Sequence, residues 1–306
     1  PGTPQIQNII PTTFFGTTTW AAPLLGTIGG AFILTCGLLY LEWRRRQALR
    51  SGEGYGTGHG NEPEQATVGN SVHPLIAILP LLIVGIANLF LTRLIPRLYE
   101  PTIETSLEGL AQPLVTQLSS VVAIWAVMGA LLLGIVTVLL FAFRPVVTKF
   151  AEGTKTAVGG ALLASMNTAS EYGFGAVIAA LPGFLIIRNA LMSIPDPLVN
   201  EAITVTTLAG ITGSASGGLS IALAAMSEHF MSAAQAAGIP PEVLHRVASM
   251  ASGGMDTLPH NGAVITLLAV TGLTHRQSYK DIFAITCVKT LAVFFVIGVY
   301  YATGIV

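Results

Sequence analysis

Four stretches of the chain are almost continuously apolar, at roughly 21–42, 73–95, 117–143 and 281–303. A bilayer core about 30 Å thick takes about 20 apolar residues in one helix, so each stretch predicts a transmembrane span. Several of Trp20, Trp43, Trp125 and the Tyr300-Tyr301 pair stand near the ends of these runs, where interfacial aromatics collect. The basic cluster Arg44, Arg45, Arg46 and Arg50 follows the first span and places residues 44–72 in the cytoplasm. The second span then runs outward to Glu100, Glu104 and Glu108, read as one solvated helical face. The third returns to Arg144, Lys149 and Lys155 on the inside.

Composition agrees with the pattern. Charged residues make up 9% of the 306 positions, against about 25% in an ordinary soluble domain, and mean hydropathy is +0.70. With a net charge of −1 and no basic face, nucleic-acid binding has no support. Cys36 and Cys287 lie inside apolar runs and read as small buried hydrophobes; no metal-ligand spacing appears. The glycine-rich segment 51–70 has no strand before it, so it reads as a cytoplasmic linker rather than a phosphate loop. The chain opens on Pro1 with no signal region, and the expectation is that it forms the C-terminal part of a longer protein.

Residues 149–280 differ, because Gly, Ser, Thr and Asn interrupt their apolar stretches. Unwound backbone at membrane depth is tolerated only where protein or a water-filled cavity satisfies it, so such breaks point to a site. One break is Gly253-Gly254-Met255-Asp256-Thr257-Leu258-Pro259-His260-Asn261-Gly262, inside a broken helix of about 241–272. A second is Gly213-Ser214-Ala215-Ser216-Gly217-Gly218, read as the tip of a re-entrant hairpin of about 197–231 with Asp196, Glu201, Glu228 and His229 as its polar ends. A third is Thr3-Pro4-Gln5-Ile6-Gln7-Asn8.

The first and third breaks are alike. Thr3 onward parallels Thr257 onward, each with Thr, Pro and an amide, then an apolar half-helix, then one long span. The loop charges give those two spans opposite directions, which predicts an inverted repeat. The fold expected is an all-α integral membrane protein, an inverted-repeat secondary transporter with discontinuous helices and a re-entrant hairpin. Residues 1–43 would end the first repeat, 44–72 would link, and 73–306 would form the second.

Half-helix N-termini present N–H groups and the positive end of the helix dipole, a setting for a carboxylate. Thr3, Gln5, Asn8, Ser214, Ser216, Thr257 and Asn261 could add donors to a small hydroxy acid, or could satisfy their own broken backbone. Ionisable residues at membrane depth need a reason. Asp256 and His260 are candidates for carrying a coupled proton, with capping as the rival role for Asp256. Glu171 is a third candidate, or an interfacial cap opening a span at 172–194. Lys289 either snorkels or pairs with Asp256 or Glu171, and Arg188 snorkels.

The stretches Pro1–Asn8, Asn167–Gly175 and Ser252–Gly262 resemble the gluconate:proton symporter (GntP-type) permeases of the wider ion-transporter superfamily, over essentially the whole chain. The resemblance implies a scaffold with a moving transport domain, two re-entrant hairpins, a homodimer and an inner-membrane location. It implies uptake of gluconate or a similar hydroxy-monocarboxylate with a proton, without a cofactor. Sodium coupling remains the alternative, although Ser214-Ala215-Ser216 departs from the Ser-Asn-Thr tip of sodium-coupled relatives. An intramembrane hydrolase using Ser214 or Ser216 with His260 and Asp256 is the remote one. The C-terminus is expected on the periplasmic side.

Overall fold

Lipid offers no partner to a backbone N–H or C=O, so a span is stable when each such group bonds within its own helix. The computed structural model describes residues 1–54, 74–105 and 114–306, and most of them are helical. The order is α1 (Ile6–Phe15), α2 (Pro23–Arg50), α3 (Pro74–Leu98), β1 (Thr102–Thr105), β2 (Leu114–Gln117), α4 (Leu118–Phe141), α5 (Phe143–Thr148), α6 (Phe150–Ala180), α7 (Pro182–Met192), α8 (Pro197–Thr212), α9 (Ala215–Ala236), α10 (Pro241–Ala251), α11 (Gly262–Thr271) and α12 (His275–Thr303). Among the described residues, α2, α3, α4 and α12 are long and apolar enough to cross a membrane. Proline opens α2, α7, α8 and α10, where its missing N–H costs nothing.

Three expectations change. The basic cluster is not a loop, since α2 continues through Arg50 and Glu42 pairs with Arg45 and Arg46 on its surface. The rest of the glycine-rich linker, from residue 55 on, lies outside the described residues. Glu104 is on a strand: β1 and β2 pair antiparallel with Glu104 opposite Val115, because two β-branched segments outcompete a helix there. Glu108 lies outside the described residues. Glu171 does not open a span either, since α6 begins at Phe150 and runs through it to Ala180. The helix boundary falls where Pro182 begins α7. The Glu171 side chain is outside the described residues.

The chain divides into two compact units, residues 1–20 with 67–170 and residues 21–66 with 171–306. In the first, α3 and α4 pack antiparallel at close range. A Cβ on Gly129 would come 2.7 Å from Leu91 Cδ1, and one on Gly134 would come 2.6 Å from Val84 Cγ2. Small residues at such a seam let membrane helices approach. Asn88, buried in α3, accepts from Trp20 Nε1 at 3.0 Å and Thr19 Oγ1 at 3.2 Å, tying the segment after α1 to α3.

In the second unit α2 and α12 are antiparallel neighbours. Phe32 stacks on Phe295 with centroids 4.5 Å apart, while eight and twelve residues later along α2, Tyr40 and Arg44 meet Asp281 at 2.7 and 3.0 Å. Arg44–Arg46 of α2 and His275, Arg276 and Lys280 of α12 therefore gather at one end of the pair. The opposite directions expected of these two spans are present. Helices α8 and α9 form a tight hairpin, since a Cβ on Gly218 would sit 2.3 Å from Ala209 Cα. Helix α10 lies beside α8, with Thr206 Oγ1 donating to the Ala251 carbonyl at 3.2 Å and Gly210 facing Met255.

Candidate functional site

The turn between α8 and α9 is two residues, Gly213 and Ser214, because glycine supplies the left-handed φ of 64° and serine caps the next helix. Ser214 Oγ accepts from the Gly217 N–H at 3.0 Å and lies 3.4 Å from Ser216 Oγ. The break is thus narrower than the expected 213–218, and Ser216-Gly217-Gly218 form the first turn of α9. A Cβ on Gly213 would come 2.7 Å from His260 Cδ2, so the His260 ring lies against the hairpin tip.

The second break runs between α10 and α11, close to its expected limits. Asn261, not Asp256, caps α11: its Oδ1 accepts from Ala263 and Val264 N–H at 2.6 and 3.1 Å. Its Nδ2 donates to the Gly213 carbonyl. One side chain therefore ties the N-terminus of α11 to the turn that ends α8 and precedes the Ser214 cap of α9. A Cβ on Gly262 would have no atom within 4 Å, so the space in front of α11 is open there, and His260 beside it is exposed.

Helix α12 holds the break in position. Lys289 Nζ meets Asp256 Oδ1 at 2.7 Å, with both side chains about one-fifth exposed. Thr286 hydrogen-bonds Thr257, the Tyr279 hydroxyl donates to the Thr257 carbonyl at 3.3 Å, and His275 Nε2 is 2.9 Å from the Pro259 carbonyl. Lys289 pairs rather than snorkels, and Asp256 is a partner in an ion pair rather than a cap. That pairing also occupies the carboxylate a hydrolytic His260 would need for its orientation.

The expected site residues thus sort into groups. Ser214, Ser216, Asn261 and His260 gather at the junction of the hairpin and α11, with Thr257 turned to α12. Asn261 uses its amide on backbone, as does Asn8, whose Nδ2 donates to the Thr3 and Thr19 carbonyls at 3.0 and 2.9 Å. Thr3 and Gln5 belong to the first unit with Asn8 and are exposed there. Gln5 occupies the N-cap position of α1 without a side-chain cap bond.

The likeness of the two broken helices is deeper than the residues suggested, in a register two positions away. Both α1 and α11 have ten residues, and both end on a left-handed glycine, Gly16 at φ 62° and Gly272 at φ 67°. In each, that glycine and the next residue both donate to one carbonyl, Thr12 in α1 and Leu268 in α11. Gln5 therefore corresponds to Asn261, not to Pro259.

Glu201, a polar hairpin end by sequence, is placed differently by the fold. It lies inside α8, 0% exposed, and neither carboxylate oxygen has a hydrogen-bond partner among the described residues. Its one signal was an acidic residue five positions past the cap Asp196, too deep to serve the helix terminus. Among the described residues no group of three or more His, Cys, Asp or Glu gathers to hold a metal.

No family model and no solved structure matches the chain. It is similar to the uncharacterized transporter YxjC of Bacillus subtilis (strain 168), 55% identical over 315 residues that cover all of this chain and 67% of the relative. That identity and coverage agree with the four membrane-length helices of this chain. The chain belongs to the transporter family that includes YxjC.

Proposed function

We propose that the chain is the substrate-binding part of a proton-coupled carrier for gluconate or a similar small hydroxy-monocarboxylate, taking it up across the inner membrane. One observation carries this reading: Asn261 caps α11 and also bonds the Gly213 carbonyl in the turn before α9, so the α11 N-terminus, the Ser216 hydroxyl and the His260 ring gather at one polar junction that is open at Gly262. An anion seated there would meet the Ser216 hydroxyl, the His260 ring and the Gly262 N–H. Ser214 and Asn261 would shape the seat while they cap their helices. In this reading the α8–α9 hairpin is re-entrant, α1–α2 and α11–α12 are inverted counterparts, and the carrier works as a homodimer. The gathered basic end of α2 and α12 faces the cytoplasm.

The test uses the full-length protein in proteoliposomes, with a panel of gluconate, other hydroxy acids and dicarboxylates. Inward proton and sodium gradients are imposed separately. The reading expects accumulation of a hydroxy-monocarboxylate under the proton gradient, lost with a protonophore. Accumulation driven by sodium alone would replace it with the sodium-coupled reading.

A further inference from the structure

Carboxyl groups are staged along the second unit from one end of α12 to the other. Asp281 is held by Arg44 and Tyr40, and Asp256 by Lys289. Asp196 accepts from the Val199 N–H at 2.8 Å and the Tyr301 hydroxyl at 2.6 Å. At 1.5 Å per residue, the α12 positions that mark these levels are about 12 and 18 Å apart. Between the last two levels stands Glu201, about 7 Å along α8 from Asp196 and about 13 Å short of Gly210, where the hairpin meets the break.

Glu201 alone of these four is fully enclosed and has no hydrogen-bond partner among the described residues. Helices α7, α9, α10 and α12 pack against α8. In the register that pairs Thr206 with Ala251 and Gly210 with Met255, the charged groups level with Glu201 on α10 are His245 and Arg246. The Arg246 guanidinium donates to the Ala21 carbonyl, with Nε at 3.2 Å. From α7 comes Arg188, and from α9 come Glu228 and His229 farther along the helix. From α12 come Lys289 and Tyr301, engaged with Asp256 and Asp196, and Tyr300. None of them donates to Glu201. At its level α9 brings buried Met226 and α12 brings buried Val296 and Ile297.

An ionised carboxylate enclosed without a partner costs several kcal/mol, and such a group takes a proton instead. We propose that Glu201 is the proton-binding site of the carrier, an inference that rests on the proton-coupled reading above. Enclosed as here, the group is a neutral carboxylic acid. When transport brings water to α8, its O–H bond breaks, the proton passes to water and the carboxylate remains, to be protonated again from the other side. Asp256 stays paired with Lys289 and is not the carrier of the proton.

The experiment compares wild type with Glu201→Gln, a neutral shape mimic of the acid, in proteoliposomes of the full-length protein. A gradient of one pH unit supports about tenfold accumulation for one coupled proton. Glu201→Gln is expected to keep exchange of labelled for unlabelled gluconate while gradient-driven accumulation falls to passive equilibration. Accumulation by Glu201→Gln that still follows the pH gradient would overturn the assignment while leaving proton coupling in place. A wild type indifferent to the gradient would overturn the proton-coupled reading itself, and this inference with it. Should Glu201→Gln fail to fold, Glu201→Asp, which keeps the acid, decides: a shifted pH dependence of gradient-driven accumulation supports the assignment, and the wild-type pH dependence contradicts it.

Discussion

Lys289 and Asp256 show how one residue pair anchors a segment that cannot hold itself. The break between α10 and α11 has little regular backbone bonding, and the 2.7 Å ion pair fixes it to α12 from inside the unit. Removing one member leaves the other charge partly buried and uncompensated, which costs more than removing both. Lys289→Met is expected to destabilise the full-length protein by about 3 kcal/mol, reduced where water still reaches the pair. The double variant with Asp256→Asn should recover most of that loss. Thermal unfolding in detergent checks the order, and a double variant no more stable than Lys289→Met would contradict it. At this scale the sequence was only partly legible. Lys289 and Asp256 stood out as ions in apolar company, but Asp256 was equally suited to capping, and only packing decides between a nearby helix end and a lysine 33 positions away. Glu201 was harder, since its meaning lies in what surrounds it.

Elements were legible where physics is local. The four spans follow from apolar length alone, and the limits of α8, α10 and α11 follow from proline, glycine and asparagine at their ends. The β1–β2 hairpin was missed because three glutamates at four-residue spacing imitate a helical face, while Thr102–Thr105 and Leu114–Gln117 pair across a gap in sequence. The α8–α9 hairpin depends on close approach. At Gly218 a methyl group would press on the Ala209 and Leu208 backbone at 2.3–2.7 Å, and backbone cannot rotate away. Gly218→Ala should therefore cost about 2 kcal/mol or more and lower the unfolding temperature. Gly298→Ala in α12, where no atom lies within 4 Å, should be neutral or slightly stabilising. Equal effects of the two substitutions would show that the hairpin is not packed this closely.

For the molecule as a whole, two stretches of similar local make-up stand out. A ten-residue half-helix, a left-handed glycine and a long span occur twice, and the second long span lies antiparallel to the first. The sequence shows a short likeness between two breaks, and the caps of α1 and α11 match in a register two positions away. It could not disclose that Asn261 reaches from one helix end to the loop before another, because that contact joins residues 48 positions apart. That junction is the proposed anion seat. The most direct test is a gluconate titration of the full-length protein in detergent by calorimetry, for wild type and for Ser216→Ala and His260→Ala. Loss of one hydrogen bond to a charged ligand is worth about 1.5–3 kcal/mol, so each substitution should weaken binding roughly tenfold or more with little change in unfolding temperature. Wild-type affinity in both variants would contradict it.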